Sequence, residues 1–87
     1  MKFKQWFETF LEEKGLDLDN TVIEFTNDKG IWNYMTLGTI YEYILDLPHD
    51  IQDQFKEKIV IIDFHNGDIM HFFKYIANYI SNLISFF

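Results

Sequence analysis

The chain has 87 residues and a formal net charge of −7, set by fourteen Asp and Glu against seven Lys, with no Arg and no Cys. Hydrophobic residues make up 48% and aromatics 20%, too apolar for intrinsic disorder and enough for one modest core, so residues 1–87 read as a single domain. Without Cys there are no disulfides, thiolate zinc sites or cysteine nucleophiles, and without Arg or a basic stripe direct nucleic-acid binding is disfavoured.

Phe3, Trp6, Phe7, Phe10 and Leu11 recur at helical spacing, with Glu8 and Glu12 opposite. They predict an amphipathic helix over residues 2–14, ended by Gly15. Residues 21–26 (TVIEFT) and 31–36 (IWNYMT) alternate around Asn27-Asp28-Lys29-Gly30 and predict a β-hairpin. Leu37, Ile40, Tyr43, Ile44 and Leu47 mark a short helix capped by Thr36 and stopped before Pro48. Ile51, Phe55 and Ile59 suggest a helical piece over residues 49–58. Residues 59–64 (IVIIDF) form the densest β-branched run and predict a strand covered on both faces. Asn66-Gly67 reads as a turn, and Asp68 as the cap of a last helix over residues 69–85.

The expected fold is therefore α+β, in the order α-β-β-α-α-β-α, with a three-stranded, mostly antiparallel sheet packed with helices. The last helix confines His71, Lys74, Asn78, Ser81, Asn82 and Ser85 to one arc, leaving an apolar arc wider than one sheet face requires. Ile69, Phe72, Phe73, Ile76, Ile80 and Leu83 are its expected core residues. Met70, Tyr75, Tyr79, Ile84, Phe86 and Phe87 are a candidate homodimer surface, unless the other helices cover them.

No phosphate-binding loop, nucleophile elbow or paired metal-ligand spacing appears. Asp63, His65, Asp68 and His71 gather where a strand end would meet a helix start, and they form the one constellation open to a metal or acid–base reading. Against it, Asp68 serves as a cap, His65 as a turn residue and His71 as a solvent-facing position. His49-Asp50 matches a metal-hydrolase dyad only as a dipeptide, and Asp50 suits a helix first turn. The expectation is a protein with no enzymatic activity, metal or cofactor.

The candidate partner-binding residues are Glu8, Glu12, Glu13, Asp17 and Asp19, a strip beyond the aromatic face of the first helix. Trp32 and Tyr34, on one face of the second strand, are candidate anchors. An acidic strip attracts basic protein surfaces and can imitate phosphate spacing, or it can serve only as a solvated face. No apolar leader precedes the acidic residues of the first helix, and residues 69–87 carry too many polar groups for a good spanning helix, so neither export nor a membrane is expected.

Residues 4–19 (KQWFETFLEEKGLDLD) and 62–77 (IDFHNGDIMHFFKYIA) resemble small acidic proteins carried by phages and prophages of Gram-positive bacteria. That resemblance implies a genomic context, the cytoplasm of a bacterial host cell, and a role against host machinery of the anti-CRISPR or anti-defence type. The expected function is an inhibitor or modulator that docks a basic, nucleic-acid-binding host protein such as a CRISPR effector. The alternative is a homo-oligomeric structural or regulatory accessory protein that pairs through its last helix.

Overall fold

The apolar period of residues 3–11 folds into a helix, α1 (Phe3–Glu13), that buries Phe3, Phe7, Phe10 and Leu11 and turns its Glu residues outward. Gly15 ends it with φ 68°, a left-handed conformation that costs glycine little. Its N–H donates to Glu12 O, and Leu16 N–H reaches back to Leu11 O at 2.9 Å. The computed structural model describes residues 2–84, in which α1 is followed by β1 (Val22–Thr26), β2 (Trp32–Thr36), α2 (Leu37–Leu45), α3 (His49–Phe64) and α4 (Ile69–Ile84). The fold is α+β, and its sheet among the described residues is the two-stranded antiparallel pair of β1 and β2.

The hairpin pairs Ile23 with Met35, Glu24 with Tyr34 and Thr26 with Trp32. Ile23 and Phe25 point into the core, and α4 packs along β1. At the tip, the Asn27 carboxamide accepts from the N–H groups of Lys29 and Ile31, closing the loop. Asp28 fastens this tip to α4, accepting from Asn82 Nδ2 at 2.7 Å and Asn78 Nδ2 at 3.3 Å. Thr36 caps α2 as the sequence predicts, by accepting from Thr39 N–H. Gly38 lies against the loop before β1: its N–H donates to Leu18 O at 2.8 Å, and a Cβ there would sit 3.1 Å from that oxygen.

The strand expected at residues 59–64 does not form, because those residues are the last turns of α3. Among the described residues the order is α-β-β-α-α-α, and the sheet has two strands instead of three. The apolar period explains the difference. Ile51, Phe55, Ile59 and Ile62 keep helical spacing, and their burial follows that period rather than an alternation. Ile59 is fully buried, whereas the next residue, Val60, is 45% exposed. A β-branched run weakens a helix by only tenths of a kcal/mol per residue. A strand must also find a partner edge, whereas a helix satisfies its backbone within itself. Asn66-Gly67, expected to link strand and helix, instead ends α3. Asn66 takes φ 55°, its N–H donates to Asp63 O, and Gly67 N–H donates to Ile62 O at 2.8 Å.

One core joins the helices and the hairpin. Phe7, fully buried, stacks on Phe3 and Tyr41 and meets Phe73 edge-on at 6.1 Å. From α2 the core takes Tyr41 where the sequence suggests Tyr43, which is half-buried. From α4 it takes Phe73, Ile76, Ala77 and Ile80. Ala77, not among the expected core residues, is fully buried, and Leu83, an expected core residue, is 43% exposed. α4 packs against both β1 and α2, so its buried arc includes Ala77. Gln52 is the one buried polar residue of the described chain, and its Nε2 caps the end of α2 by donating to Leu45 O and Leu47 O.

Candidate protein-binding surfaces

The end of α1 and the loop after it enclose a shallow groove of about 400 Å³, lined by Glu8, Glu12, Asp17 and Asp19 over Leu11, Leu16 and Leu18. The structure thus brings together most of the acidic residues singled out from the sequence, while Glu13 is exposed outside that lining. Two of the carboxylates are already engaged. Glu8 Oε1 accepts from the Tyr41 hydroxyl at 3.0 Å. Burial and this Glu8 contact push the Tyr41 phenol up to about 12. Asp17 shapes its own loop, accepting from Asp19 N–H and from Asn20 Nδ2, while its N–H donates to Thr21 Oγ1. Those two hydrogen bonds hold its carboxyl below the usual carboxylate range. The free charges of the groove are therefore Glu12 and Asp19.

Trp32 and Tyr34 stand elsewhere, on the outer face of the hairpin, each 73% exposed. They face the same side as their cross-strand partners Thr26 and Glu24, and Val22 is exposed on that side as well. Trp32 also forms one wall of a groove of about 390 Å³ between the hairpin and α4, with Lys74 and Tyr75 on the opposite wall. Tyr34 N–H, on the strand edge away from β1, donates to Asn33 Oδ1 at 2.9 Å. This bond blunts the free edge against strand addition. What the hairpin offers a partner is its side-chain face rather than its backbone.

The surface assigned to self-association is only partly apolar and exposed. Tyr75 is 69% exposed and Tyr79 52%, the latter resting edge-on against Tyr43 at 6.4 Å. Burial, with Tyr79 adding to it, raises the Tyr43 phenol. Met70 is half-buried against the core. Only the backbone of Ile84 is described, and Phe86 and Phe87 lie outside the described residues.

The residues weighed as a metal or acid–base constellation are not gathered. Asp63 pairs with Lys14 at 2.7 Å. Asp68 caps α4, accepting from Met70 N–H and His71 N–H. His65 packs edge-on to Phe64, and His71 is exposed. Among the described residues no group of three His, Asp or Glu side chains converges as metal ligands, and no helix is long and apolar enough to cross a membrane.

The sequence reading missed one surface. Val60, Ile61 and Phe64 are 45%, 49% and 80% exposed on the outer side of α3. The strand expected there, covered on both faces, would hide all three. The signal that could have exposed them is the helical period of Phe55, Ile59 and Ile62, which places them on the opposite side. No family model, curated protein or solved structure matches this chain, so these surfaces stand on their own geometry.

Proposed function

We propose that this protein is a small acidic binding protein that docks a basic surface of a nucleic-acid-binding host protein and inhibits or modulates it. The observation that carries the reading is the pair of exposed aromatics, Trp32 and Tyr34, on an outer sheet face. Trp and Tyr supply large rigid contact area and dominate the affinity of protein interfaces. The chain as a whole carries a net charge of −7, which steers a basic partner toward it. A CRISPR effector is the partner class suggested by the phage-protein resemblance. Anchors and charge divide the work: buried aromatics slow dissociation, and rim charges speed encounter.

The test is capture from a bacterial lysate at low salt, with the retained proteins identified. The expected result is a nucleic-acid-binding protein that is displaced by added DNA and is lost with Trp32→Ala or Tyr34→Ala. In direct binding to that protein, the aromatic variants should raise the dissociation rate tenfold or more. Glu12→Lys with Asp19→Lys, which touches neither the Tyr41 contact nor the Asp17 turn, should instead slow association and flatten the salt dependence. Capture unaffected by either aromatic variant overturns the reading.

A second reading has its own observation. The exposed side of α4, Tyr75, Tyr79 and Leu83, supports pairing of two copies. Light scattering that shows a strict monomer at high micromolar concentration removes it.

A further inference from the structure

The outer side of α3 changes character along its length. With about 100° between successive residues, Asp50, Asp53, Glu57, Val60, Ile61 and Phe64 fall within one arc of roughly 100°. That arc lies opposite the side that buries Ile59 and Gln52. All six residues are exposed. The first two turns of the arc are purely anionic and the last turns purely apolar, and no Lys falls within it. Lys56, on one flank, is turned inward over the Trp6 ring at 5.7 Å, and on that flank Asp53 lines a hollow with Lys2 and Lys4, which leaves Asp50 and Glu57 as the outermost carboxylates. Exposed apolar residues are common singly. Here Phe64 is 80% exposed with Val60 and Ile61 on the same stripe, directly continuing a row of carboxylates.

We propose that this face docks a cationic amphipathic helix of a partner protein. Its basic half lies over Asp50, Asp53 and Glu57, and its apolar half lies over Val60, Ile61 and Phe64. The proposal rests on the reading of the protein as one that binds a basic partner, and it adds a second surface and a secondary structure for the ligand. Charge complementarity selects the occupant. The arc runs about 21 Å, from Asp50 to Phe64 at 1.5 Å per residue, the span of about four helical turns. A helix crossing at a shallow angle can follow that length. Neighbouring carboxylates repel mildly within α3, and a basic partner relieves that repulsion.

A second copy of this chain fits poorly. Antiparallel pairing across the middle of the arc would lay each row of carboxylates on the other copy's apolar turns and desolvate them without counter-charge. Pairing only at the apolar ends would bury a few side chains, well short of the roughly 800 Å² per partner of a stable interface. An anionic membrane would be repelled by the carboxylates.

The test uses the full chain and synthetic helix-forming peptides of equal length. One carries Lys on a stripe over its first half and Leu on the same stripe over its second half. Two controls replace the Lys by Glu or the Leu by Ala. At low salt, amide shifts in a titration should map along the outer side of α3, and each control peptide should bind at least tenfold more weakly. Phe64→Ala, Ile61→Ser and Glu57→Lys, all exposed sites, should each weaken binding of the Lys/Leu peptide tenfold or more while the thermal melt stays unchanged. Equal affinity for all peptides, or shifts that map to another surface, overturns the proposal. So does concentration-dependent dimerisation abolished by Phe64→Ala, which would make a second copy the occupant. Trp32→Ala should leave peptide affinity unchanged. If the peptide series fails while Trp32→Ala still abolishes host-protein capture, the α3 proposal falls and the hairpin reading stands.

Discussion

α1 and α3 pack against each other, joined by the Lys14–Asp63 ion pair and by Lys56 over Trp6, yet they distribute their apolar residues differently. In α1 the apolar residues share one side: Phe3, Phe7, Phe10 and Leu11 are buried and Trp6 is half-buried. In α3 the apolar residues occupy both sides, with Ile59 buried and Val60, Ile61 and Phe64 exposed. A helix whose only partner is the core needs a single apolar stripe. α1 conforms, so its pattern is explained by folding alone. α3 carries more apolar surface than the core uses, and the excess is concentrated in its last turns. The two helices separate the residues that hold the fold from those available to a partner.

The largest effect should come from the conforming helix. Phe7→Ala removes a fully buried ring that touches Phe3, Phe10, Tyr41 and Phe73, and should cost about 3–5 kcal/mol in urea unfolding. A loss below about 1 kcal/mol would show that α1 is not the principal wall of the core. Next is the buried side of α3. Gln52→Ala withdraws both hydrogen bonds that close the end of α2 and should cost about 1–3 kcal/mol by the same measurement. An effect confined to tenths would mean that water replaces the carboxamide and that α3 is held by Ile59 alone.

The polar side of α1 is not wholly solvated, and alkaline pH should reveal this. Tyr41 is neutral when protonated, and burial with the Glu8 contact raises its phenol from 10.0 to about 12. A raised folded value means that the contribution is whole below the unfolded value and is lost as pH rises from 10 toward 12. Urea midpoints measured across that window should fall more steeply for the native chain than for Tyr41→Phe. Parallel curves would show that Tyr41 is open to water and that Glu8 is a free surface charge.

The smallest effect belongs to the outer turns of α3. Val60→Lys and Ile61→Lys should each shift stability by no more than about 0.5 kcal/mol and leave the helical circular dichroism intact. Losses of several kcal/mol at either site would mean that this side is buried, as expected of a strand covered on both faces.

Much of the fold is legible because its signals are local. The helical period of Phe3 to Leu11, the alternation around Asn27–Gly30 and the caps Thr36 and Asp68 involve residues within a few positions of one another. The acidic groove is legible in part. Glu8, Glu12, Asp17 and Asp19 are close in sequence and meet around one hollow. That Glu8 serves Tyr41 is a contact between residues 33 positions apart, and only the packing of α1 on α2 creates it.

The sequence by itself determined the acidic balance, α1, the hairpin and the capped start of the last helix, because short-range periodicity and side-chain-to-backbone bonds decide these. Tertiary structure decided the fate of residues 59–64 and the exposure of Trp32 and Tyr34. A β-branched run can enter a strand or a helix at nearly equal intrinsic cost. The choice depends on whether a strand edge stands beside it, and the paired faces of the hairpin are assigned only when α4 covers one of them. Both are contacts between distant segments, and the local helical period of Phe55, Ile59 and Ile62 permits the helix that those contacts select.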